Sequence, residues 1–314
     1  MQNLDVVTFG EAMAMFVADE SGELSTINCF TRRLAGAETN VAIGLTRLGL
    51  RVGWVSRLGD DSFGRYIRRT LDGEGVDCSH VTVDPRYQTG FQLKSKAENG
   101  ADPVVEYFRK NSAASHLSLA DFDRDYFLSA RHFHATGIAP ALSDSTMEFA
   151  IHALDFMREA GKTVSFDPNL RPSLWPSENV MIERLNRLAF KARWVLPGLA
   201  EGQRLTGLAQ PRDIAAFYLE RGAELVVLKL GPQGAYFRTA DREGAIPAAP
   251  VAQVVDTVGA GDGFAVGVVS ALLEGASIAD AVARGNRIGA FAIQVAGDMD
   301  GLPTRAQLDA VEQS

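Results

Sequence analysis

A run of small residues that ends in an aspartate is the segment best suited to chemistry on an anion. Asp256-Thr-Val-Gly259-Ala-Gly261-Asp262 precedes an apolar segment with helical spacing. Small residues let successive backbone N–H groups converge on a helix N-terminus, where unpaired amides and the helix dipole favour an anion. Asp262 can then take a proton from a hydroxyl while the amides stabilise a phosphoryl group. The structural alternative, in which Asp262 only caps the helix, is equally open at this point.

Two common nucleotide-binding motifs are excluded for this segment. No Gly-Lys-Ser/Thr follows at the spacing of a Walker loop. Phe264 stands where the third glycine of GxGxxG would be. The segment therefore predicts a different type of phosphate site.

Polar residues at other places could complete such a site. Gly36 permits close approach of the backbone to a ligand, and Glu38 and Asn40 follow it in the first turn of a predicted helix. Tyr107 and Arg109 alternate along a predicted strand and therefore face the same side, where the planar guanidinium suits a carboxylate. Ordinary turn, cap and surface roles remain alternatives for all of them.

Three more segments lie on or just after predicted strands. Arg171 is a second candidate anion-binding residue, and Lys229 precedes a glycine-rich turn that either borders a nucleotide or forms a hairpin. His132 and His134 alternate on a strand without carboxylate or cysteine companions at metal-ligand spacing, and we interpret them as structural.

The elements that must position these residues alternate between strands and helices. This order predicts an α/β fold with a doubly wound, mostly parallel central sheet flanked by helices, whose ligands bind beyond the carboxyl ends of the strands. The predicted strands are Val6–Phe9, Val52–Ser56, His132–Thr136, Thr163–Phe166, Trp194–Leu196 and Leu225–Leu230. The predicted helices are Thr39–Leu48, Phe63–Glu74, Ser143–Ala160, Asn179–Phe190, Ile214–Arg221, Asp262–Glu274 and Ile278–Gln294.

Two segments interrupt this alternation, at about residues 13–33 and 81–110. They contain short alternating stretches, and an Asn99-Gly100 turn joins the two in the second segment, so we read both as hairpins. They predict a small β lid over the strand ends, which would exclude water when closed. An edge hairpin or a dimer contact is the alternative.

Length and composition exclude several classes of protein. The 314 residues suffice for about two average domains, or for one large α/β domain with an appendage. The 31 Lys and Arg against 39 Asp and Glu give a net charge of −8, which opposes a nucleic-acid partner. Cys29 and Cys78 form neither a disulfide framework nor a zinc ribbon. Neither a signal-peptide pattern nor a membrane-spanning apolar stretch is present, so we expect a cytoplasmic protein with no membrane partner.

The combination of motifs resembles the ribokinase-like sugar kinases, the PfkB carbohydrate kinase family. Asp256–Asp262 resembles the C-terminal signature of the family, and Gly36–Gly49 and Arg57–Gly64 resemble its N-terminal region. The resemblance covers nearly the whole chain. It implies that residues 1–314 form one ribokinase-like α/β domain with an inserted lid.

Within the family, Tyr107–Ser115 and Asp167–Trp175 most resemble the members that phosphorylate 2-keto-3-deoxygluconate. A sugar acid has a carboxylate at one end and a primary hydroxyl at the other, and Arg109 and Arg171 supply cations that a neutral hexose would not require. The resemblance implies that ATP donates its γ-phosphoryl group to the C6 hydroxyl, which gives 2-keto-3-deoxy-6-phosphogluconate.

The resemblance also implies a role for each matching position. The catalytic group consists of the base Asp262, the anion hole Gly259, Ala260 and Gly261, and Arg171. The sugar acid contacts Gly36, Ala37, Asn40, Phe91, Tyr107, Arg109, Ile138 and Asp298. The nucleotide contacts Asn169, Lys229, Gly231, Gly234 and Asn286. Mg²⁺ lies on the nucleotide phosphates, largely through water, with Glu201 as its protein neighbour.

Two positions depart from the family pattern, and two other functions remain open. Gly198 stands where many members carry the Asn of an Asn-x-x-Glu motif, and Phe108 stands where a second Tyr is expected. A kinase for a neutral sugar such as fructose or ribose, and a sensor without catalytic activity, are the alternatives. The intact Gly-Ala-Gly-Asp262 sequence argues against the sensor. We also expect a homo-oligomer, because exposed lid edges often pair.

Overall fold

The computed structural model describes residues 3–96, 103–295 and 297–312. The strands in this part of the chain are β1 (Leu4–Phe9), β2 (Met13–Ala18), β3 (Phe30–Ala35), β4 (Val52–Gly59), β5 (Val81–Asp84), β6 (Phe91–Lys94), β7 (Val105–Phe108), β8 (Ala130–Thr136), β9 (Thr163–Asp167), β10 (Trp194–Val195), β11 (Leu225–Lys229), β12 (Ala235–Arg238) and β13 (Glu243–Ile246). The α-helices are α1 (Ala37–Arg47), α2 (Ser62–Gly73), α3 (Arg124–Ser129), α4 (Asp144–Glu159), α5 (Glu178–Ala189), α6 (Leu199–Thr206), α7 (Pro211–Leu219), α8 (Ala260–Leu273), α9 (Ile278–Ala292) and α10 (Arg305–Glu312).

The central sheet has nine strands in the order β13-β12-β11-β10-β9-β8-β1-β4-β5. Every pair from β11 to β5 is parallel, and only β12 and β13 are antiparallel. The chain runs outward from β1 in both directions, so the strand order reverses there. In doubly wound sheets this reversal opens a crevice at the carboxyl ends of the strands, where ligands bind. The predicted fold class is confirmed.

Helices cover both faces of the sheet, and each face has its own hydrophobic core. Strand side chains alternate in direction, so Val6 packs in one core and Val7 and Phe9 pack in the other. The core that contains Val6 also contains residues of α1, α2, α8 and α9. The core that contains Val7 and Phe9 also contains residues of α3, α4, α5, α6 and α7. The N-termini of α1 and α8 therefore lie on the same side of the sheet.

A second, separate sheet has the order β3-β2-β6-β7, and we call it the lid after the element predicted from these segments. Strands β2 and β3 pair antiparallel, as do β6 and β7, and the parallel pairing of β2 with β6 joins the two hairpins. The Asn99-Gly100 turn lies outside the described residues. Phe63 of α2 packs on Phe16 and Phe91 of the lid at ring distances of 5.6 Å, which attaches the lid to the main domain.

Several element predictions were wrong in detail. Val81–Asp84 was assigned to the lid, but β5 pairs with β4 at the edge of the central sheet. Helix α8 begins at Ala260, two residues before the predicted start. Helix α6 was not predicted, because glycines at its N-cap, interior and C-cap lower the helical propensity of a short segment.

The two strand histidines make internal polar contacts, which agrees with their interpretation as structural residues. His132 contacts the hydroxyls of Thr163 and Ser165, each at 2.8 Å, and His134 contacts Ser165 at 2.8 Å. Both side chains are fully buried, and desolvation lowers the pKa of His134 to about 3. Both rings are therefore neutral at physiological pH. None of the described helices has the length and apolarity needed to cross a membrane.

Candidate active site

The N-terminus of α8 is shaped by a glycine with a left-handed backbone. Gly259 caps the helix with a φ of 85°, and a Cβ atom on it would lie 2.5 Å from the carbonyl oxygen of Asp298. Both the backbone angle and the space therefore require glycine. Ala260, Gly261 and Asp262 form the first turn, where helix geometry leaves the N–H groups without intrahelical acceptors. This arrangement suits an anion.

The side chain of Asp262, in this first turn, is buried, and it does not cap the helix. Its Oδ2 accepts a hydrogen bond from the amide of Asn40 at 2.8 Å, and its Oδ1 accepts one from Asn169 at 3.3 Å. Burial raises the pKa of this carboxyl to about 7, although the bond from Asn40 lowers it. A carboxyl group with this pKa can both accept and release a proton near neutral pH.

A cavity of about 440 Å³ opens in front of Asp262, and we call it the acceptor cavity. It brings together most of the residues that the sequence suggested for the substrate and for catalysis, two of those suggested for the nucleotide (Asn169 and Lys229), and Glu201, suggested for the metal. Those that line it are Gly36, Ala37, Asn40, Tyr107, Arg109, Ile138, Asn169, Arg171, Glu201, Lys229, Gly259, Gly261, Asp262 and Asp298. Segments from the lid and from the ends of several central strands therefore share one cavity.

Phe91 was assigned to this cavity, and that assignment was wrong. Phe91 pairs with Phe108 across the hairpin, and their rings stack 4.6 Å apart on the other face of the lid. The next residue, Gln92, lines the cavity instead and lies opposite Tyr107. Because side chains alternate along a strand, a shift of one residue exchanges the two faces.

Arg109 does not face the cavity as an isolated cation. Its Nε donates to Oε2 of Glu11 at 2.6 Å, and the hydroxyl of Ser112 donates to the other oxygen of the same carboxylate. Arg109 and Glu11 are both buried. The ion pair fixes the plane of the guanidinium and leaves other N–H groups for a ligand. Sequence reasoning missed Glu11, which follows β1 as Gly10-Glu11 at the strand end where ligands bind.

Glu38 is a second buried carboxyl on the wall of the cavity. The hydroxyl of Thr136 donates to its Oε1, and Oε2 has no hydrogen-bond partner among the described residues. Burial raises the pKa of this carboxyl. A Cβ atom on Gly10 would lie 2.4 Å from Oε2 of Glu38, so the carboxyl fills the space beside that glycine.

Arg171 and Asn169, which follow β9, are hydrogen-bonded to each other. The guanidinium of Arg171 donates to Oδ1 of Asn169 at 2.7 Å and to the carbonyl of Leu170 at 2.9 Å. Asn169 has a positive φ of 40°. It was assigned to the nucleotide, but it lies in the acceptor cavity and contacts Asp262.

Both carboxylate oxygens of Glu201 accept hydrogen bonds from backbone N–H groups. It accepts from Gly198 and from Leu170, each at 2.7 Å, and thereby caps α6 and holds the loop after β9. No group of three His, Cys, Asp or Glu residues suited to a metal occurs in the described ranges. Glu201 can therefore reach a cation only through its remaining lone pairs or through water.

A second cavity of about 540 Å³ lies next to the first, and we call it the donor cavity. Small and apolar side chains form most of its wall. Predicted nucleotide residues that line it are Lys229, Gly231, Gly234 and Asn286, together with Ala260 of the anion hole. The amide of Asn286 donates to the carbonyls of Ile246 and Pro247 and so shapes the wall.

Lys229, Thr257 and Gly261 line both cavities and so mark their junction. The ammonium of Lys229 lies 3.5 Å from the position of a Cβ on Gly261 and pairs with Asp167 at 2.6 Å. Burial lowers the pKa of Lys229, but the carboxylates of Asp167 and Glu201 outweigh it and raise the pKa overall. A fixed positive charge therefore stands where the two cavities meet.

Known proteins resemble this chain over almost its full length. Residues 3–305 match the family described as pfkB family carbohydrate kinase. The 2-dehydro-3-deoxygluconokinase of Bacillus subtilis strain 168 is 55% identical over 306 residues, which cover 97% of this chain and 94% of that protein.

Two solved structures also resemble this chain over almost their full length. The PfkB protein from Polaromonas sp. JS666 is 54% identical, with a TM-score of 0.91 over 98% of this chain and 99% of that one. A putative ribokinase II from E. coli, solved in complex with ATP and Mg²⁺, is 26% identical, with a TM-score of 0.90 over 99% of each chain.

Proposed function

The chain belongs to the pfkB family of carbohydrate kinases, and we propose that it transfers the γ-phosphoryl group of ATP to the C6 hydroxyl of 2-keto-3-deoxygluconate, also called 2-dehydro-3-deoxygluconate. The product is 2-keto-3-deoxy-6-phosphogluconate. The observation that carries this proposal is one cavity with the carboxyl of Asp262 beside unpaired helix amides and with Arg109 on its wall. The 55% identity to a 2-dehydro-3-deoxygluconokinase supports the same substrate.

A sugar acid suits the polar wall of the acceptor cavity. Its carboxylate would be bound by the N–H groups of Arg109 that Glu11 leaves free and by the hydroxyl of Tyr107. Gln92 and Asn40 offer amides to the carbonyl and hydroxyl groups of the chain. The primary hydroxyl at the opposite end would then face Asp262.

The reaction needs one base and a site for negative charge. Asp262 takes the proton of the C6 hydroxyl as this oxygen bonds to the γ-phosphorus, and the bond from that phosphorus to the β–γ bridging oxygen breaks, so that ADP leaves. The amides of the first turn of α8 and the ammonium of Lys229 stabilise the charge on the phosphoryl oxygens. The carboxylate of Asp167 keeps that ammonium in place.

The donor cavity suits a nucleotide. Its apolar wall can pack on a base, and it leads through Lys229, Thr257 and Gly261 to the acceptor cavity. A related protein was solved with ATP and Mg²⁺. Glu201 fits an indirect contact to Mg²⁺, because both its oxygens already accept backbone hydrogen bonds. The metal, when bound, would neutralise phosphate charge.

A panel of acceptors tests this proposal. ADP release should be measured with ATP, Mg²⁺ and each of 2-keto-3-deoxygluconate, 2-keto-3-deoxygalactonate, fructose and ribose. The proposal expects the highest kcat/KM with 2-keto-3-deoxygluconate. A higher value with fructose or ribose would assign the protein to neutral sugars, and ligand binding without ADP release would assign it to sensing.

A further inference from the structure

Lys94 is a lid residue whose charge is buried. It lies at the end of β6, and its side chain is 2% exposed. Its ammonium donates to Oδ2 of Asp256 at 2.6 Å and to Oδ1 of Asp298 at 3.1 Å. One lysine of the lid therefore joins two carboxylates that belong to the C-terminal part of the chain.

Both carboxylates belong to segments that shape the N-terminus of α8. The other oxygen of Asp256 accepts the N–H of Val258 at 3.1 Å and so folds the loop before Gly259. The carbonyl of Asp298 lies against Gly259, where a Cβ would approach it to 2.5 Å. The ammonium of Lys94 thus lies beside the turn that carries the unpaired amides, and its side chain also lines the acceptor cavity on the same face of β6 as Gln92.

The charges make this junction sensitive to the loss of the lysine. Burial lowers the pKa of Lys94, but attraction by Asp298 and Asp256 outweighs it, so the pKa is raised and the ammonium stays charged. Without it, two buried carboxylates would face each other unpaired. Breaking a buried ion pair in this way is far more disruptive than removing an exposed one.

We propose that Lys94 is a positioning residue for phosphoryl transfer, whose ammonium fixes the loop 256–259 and the first turn of α8 to lid strand β6. The inference rests on the proposed kinase function. The sugar lies under the lid and the phosphoryl group lies against the helix amides, so a single ion cluster sets their relative position. A displacement of about 1 Å between reacting groups can cost about 100-fold in rate.

Replacement of Lys94 by alanine, followed by chemical rescue, tests this role. Lys94→Ala removes the charge and leaves room for a small cation between Asp256 and Asp298. We expect kcat to fall about 10- to 100-fold, and added ammonium chloride to restore at least a tenfold part of it. Tetramethylammonium chloride at the same ionic strength, being too large for the space, should restore nothing. Lys96→Ala, on the exposed end of the same hairpin, is the matched control and should keep wild-type kcat and show no ammonium effect.

Two further variants keep the test decisive if Lys94→Ala fails to fold. Lys94→Met with Asp298→Asn preserves the net charge of the cluster but not the link to the lid, and it should fold and still lose kcat. Lys94→Arg keeps the charge and moves it, and it should lower kcat by a smaller factor. Wild-type kcat in any folded variant without Lys94, or a loss in Lys94→Ala that ammonium does not relieve, overturns the proposal.

Failure of the kinase proposal is distinguishable from failure of this one. The wild-type enzyme is first assayed on the acceptor panel, and its best acceptor is then used for all the variants. If that acceptor is a neutral sugar, the proposed substrate is wrong while the role of Lys94 is still measured.

Discussion

The side-chain amide of Asn40 lies 2.8 Å from Oδ2 of Asp262, although the two residues are 222 positions apart in the chain. Asn40 belongs to the first turn of α1 and Asp262 to the first turn of α8. The two helix N-termini therefore meet at the carboxyl group that we assign as the base. The donated hydrogen bond fixes one oxygen and favours the charged form.

Replacement of Asp262 by asparagine should remove the base and leave the shape of the cavity unchanged. We expect kcat to fall about 10²- to 10⁴-fold, the usual scale of general-base catalysis. Kd values for ATP and for the sugar acid, measured by calorimetry, should remain near those of the wild type. Asp280→Asn, at an exposed position in the first turn of α9, is the control. Wild-type turnover in Asp262→Asn would contradict the assignment.

The rate should depend on pH through Asp262. Its pKa is raised to about 7 by burial, so the carboxyl is protonated below that pH and cannot accept a proton. kcat/KM should therefore rise with pH through about 7. Asn40→Ala removes a hydrogen bond that lowers this pKa and should move the rise to higher pH. A profile that is flat from acidic to neutral pH, or equal in both proteins, would disagree.

Arg109 should distinguish an acidic from a neutral sugar. Arg109→Ala should raise KM for the sugar acid by about tenfold or more, since hydrogen bonds to charged groups contribute about 1.5–3 kcal/mol, and it should affect binding of a neutral sugar far less. Loss of the guanidinium also leaves the buried carboxylate of Glu11 without its cation, with only the hydroxyl of Ser112 as a donor among the described side chains, so the melting temperature should fall. The exposed Lys110→Ala is the matched control. Equal losses for both sugars would reject a carboxylate-binding role.

The two faces of β6 should respond differently to truncation. Gln92→Ala should raise KM for the acceptor, because the amide lines the cavity. Phe91→Ala should leave KM within about twofold. It should lower stability by less than the roughly 3–5 kcal/mol that truncation of a fully buried aromatic costs, because the half-buried ring packs on Phe63 and on the exposed Phe108. Kinetics and chemical denaturation of both variants measure this contrast. A larger increase in KM for Phe91→Ala than for Gln92→Ala would show that Phe91, and not Gln92, faces the cavity.

Gly259 and Gly275 offer a matched pair for the anion-binding turn. Their φ angles are 85° and 84°, but a Cβ on Gly259 would clash with Asp298, whereas one on Gly275 meets nothing within 4 Å. Gly259→Ala should lower kcat about 10²-fold or more, as does loss of a single oxyanion donor in other enzymes. Gly275→Ala should cost only stability. Similar kcat values for the two variants would show that the turn tolerates displacement.

Sequence patterns predicted the fold most accurately where a pattern fits only one structural environment. Apolar runs predicted six of the seven parallel strands of the central sheet, because both faces of these strands are buried. The segment that ends at Asp262 predicted the helix N-terminus, because few arrangements tolerate so many small residues. Val81–Asp84 carries the same alternation as the lid strands, and only its pairing with β4 decides where it belongs.

The site was less predictable where long-range contacts decide it. The face of Phe91 depends on hairpin register, which a sequence with alternating polar and apolar residues does not fix. Glu11 and Lys94 are ordinary surface residue types, and their burial follows from Arg109, Asp256 and Asp298, which are distant in the chain. Asn169 lies in the acceptor cavity and has a positive φ of 40°, a backbone conformation that asparagine permits but that its presence in the sequence does not predict.

The contact between Gly10 and Glu38 limits how this protein can diverge. The carboxyl of Glu38 occupies the volume that any side chain at position 10 would need. A larger residue at position 10 therefore requires the carboxyl of Glu38 to move or to be shortened. Positions 10 and 38 are thus coupled, and a homologue with alanine at position 10 should carry either a smaller residue or a displaced carboxyl at position 38.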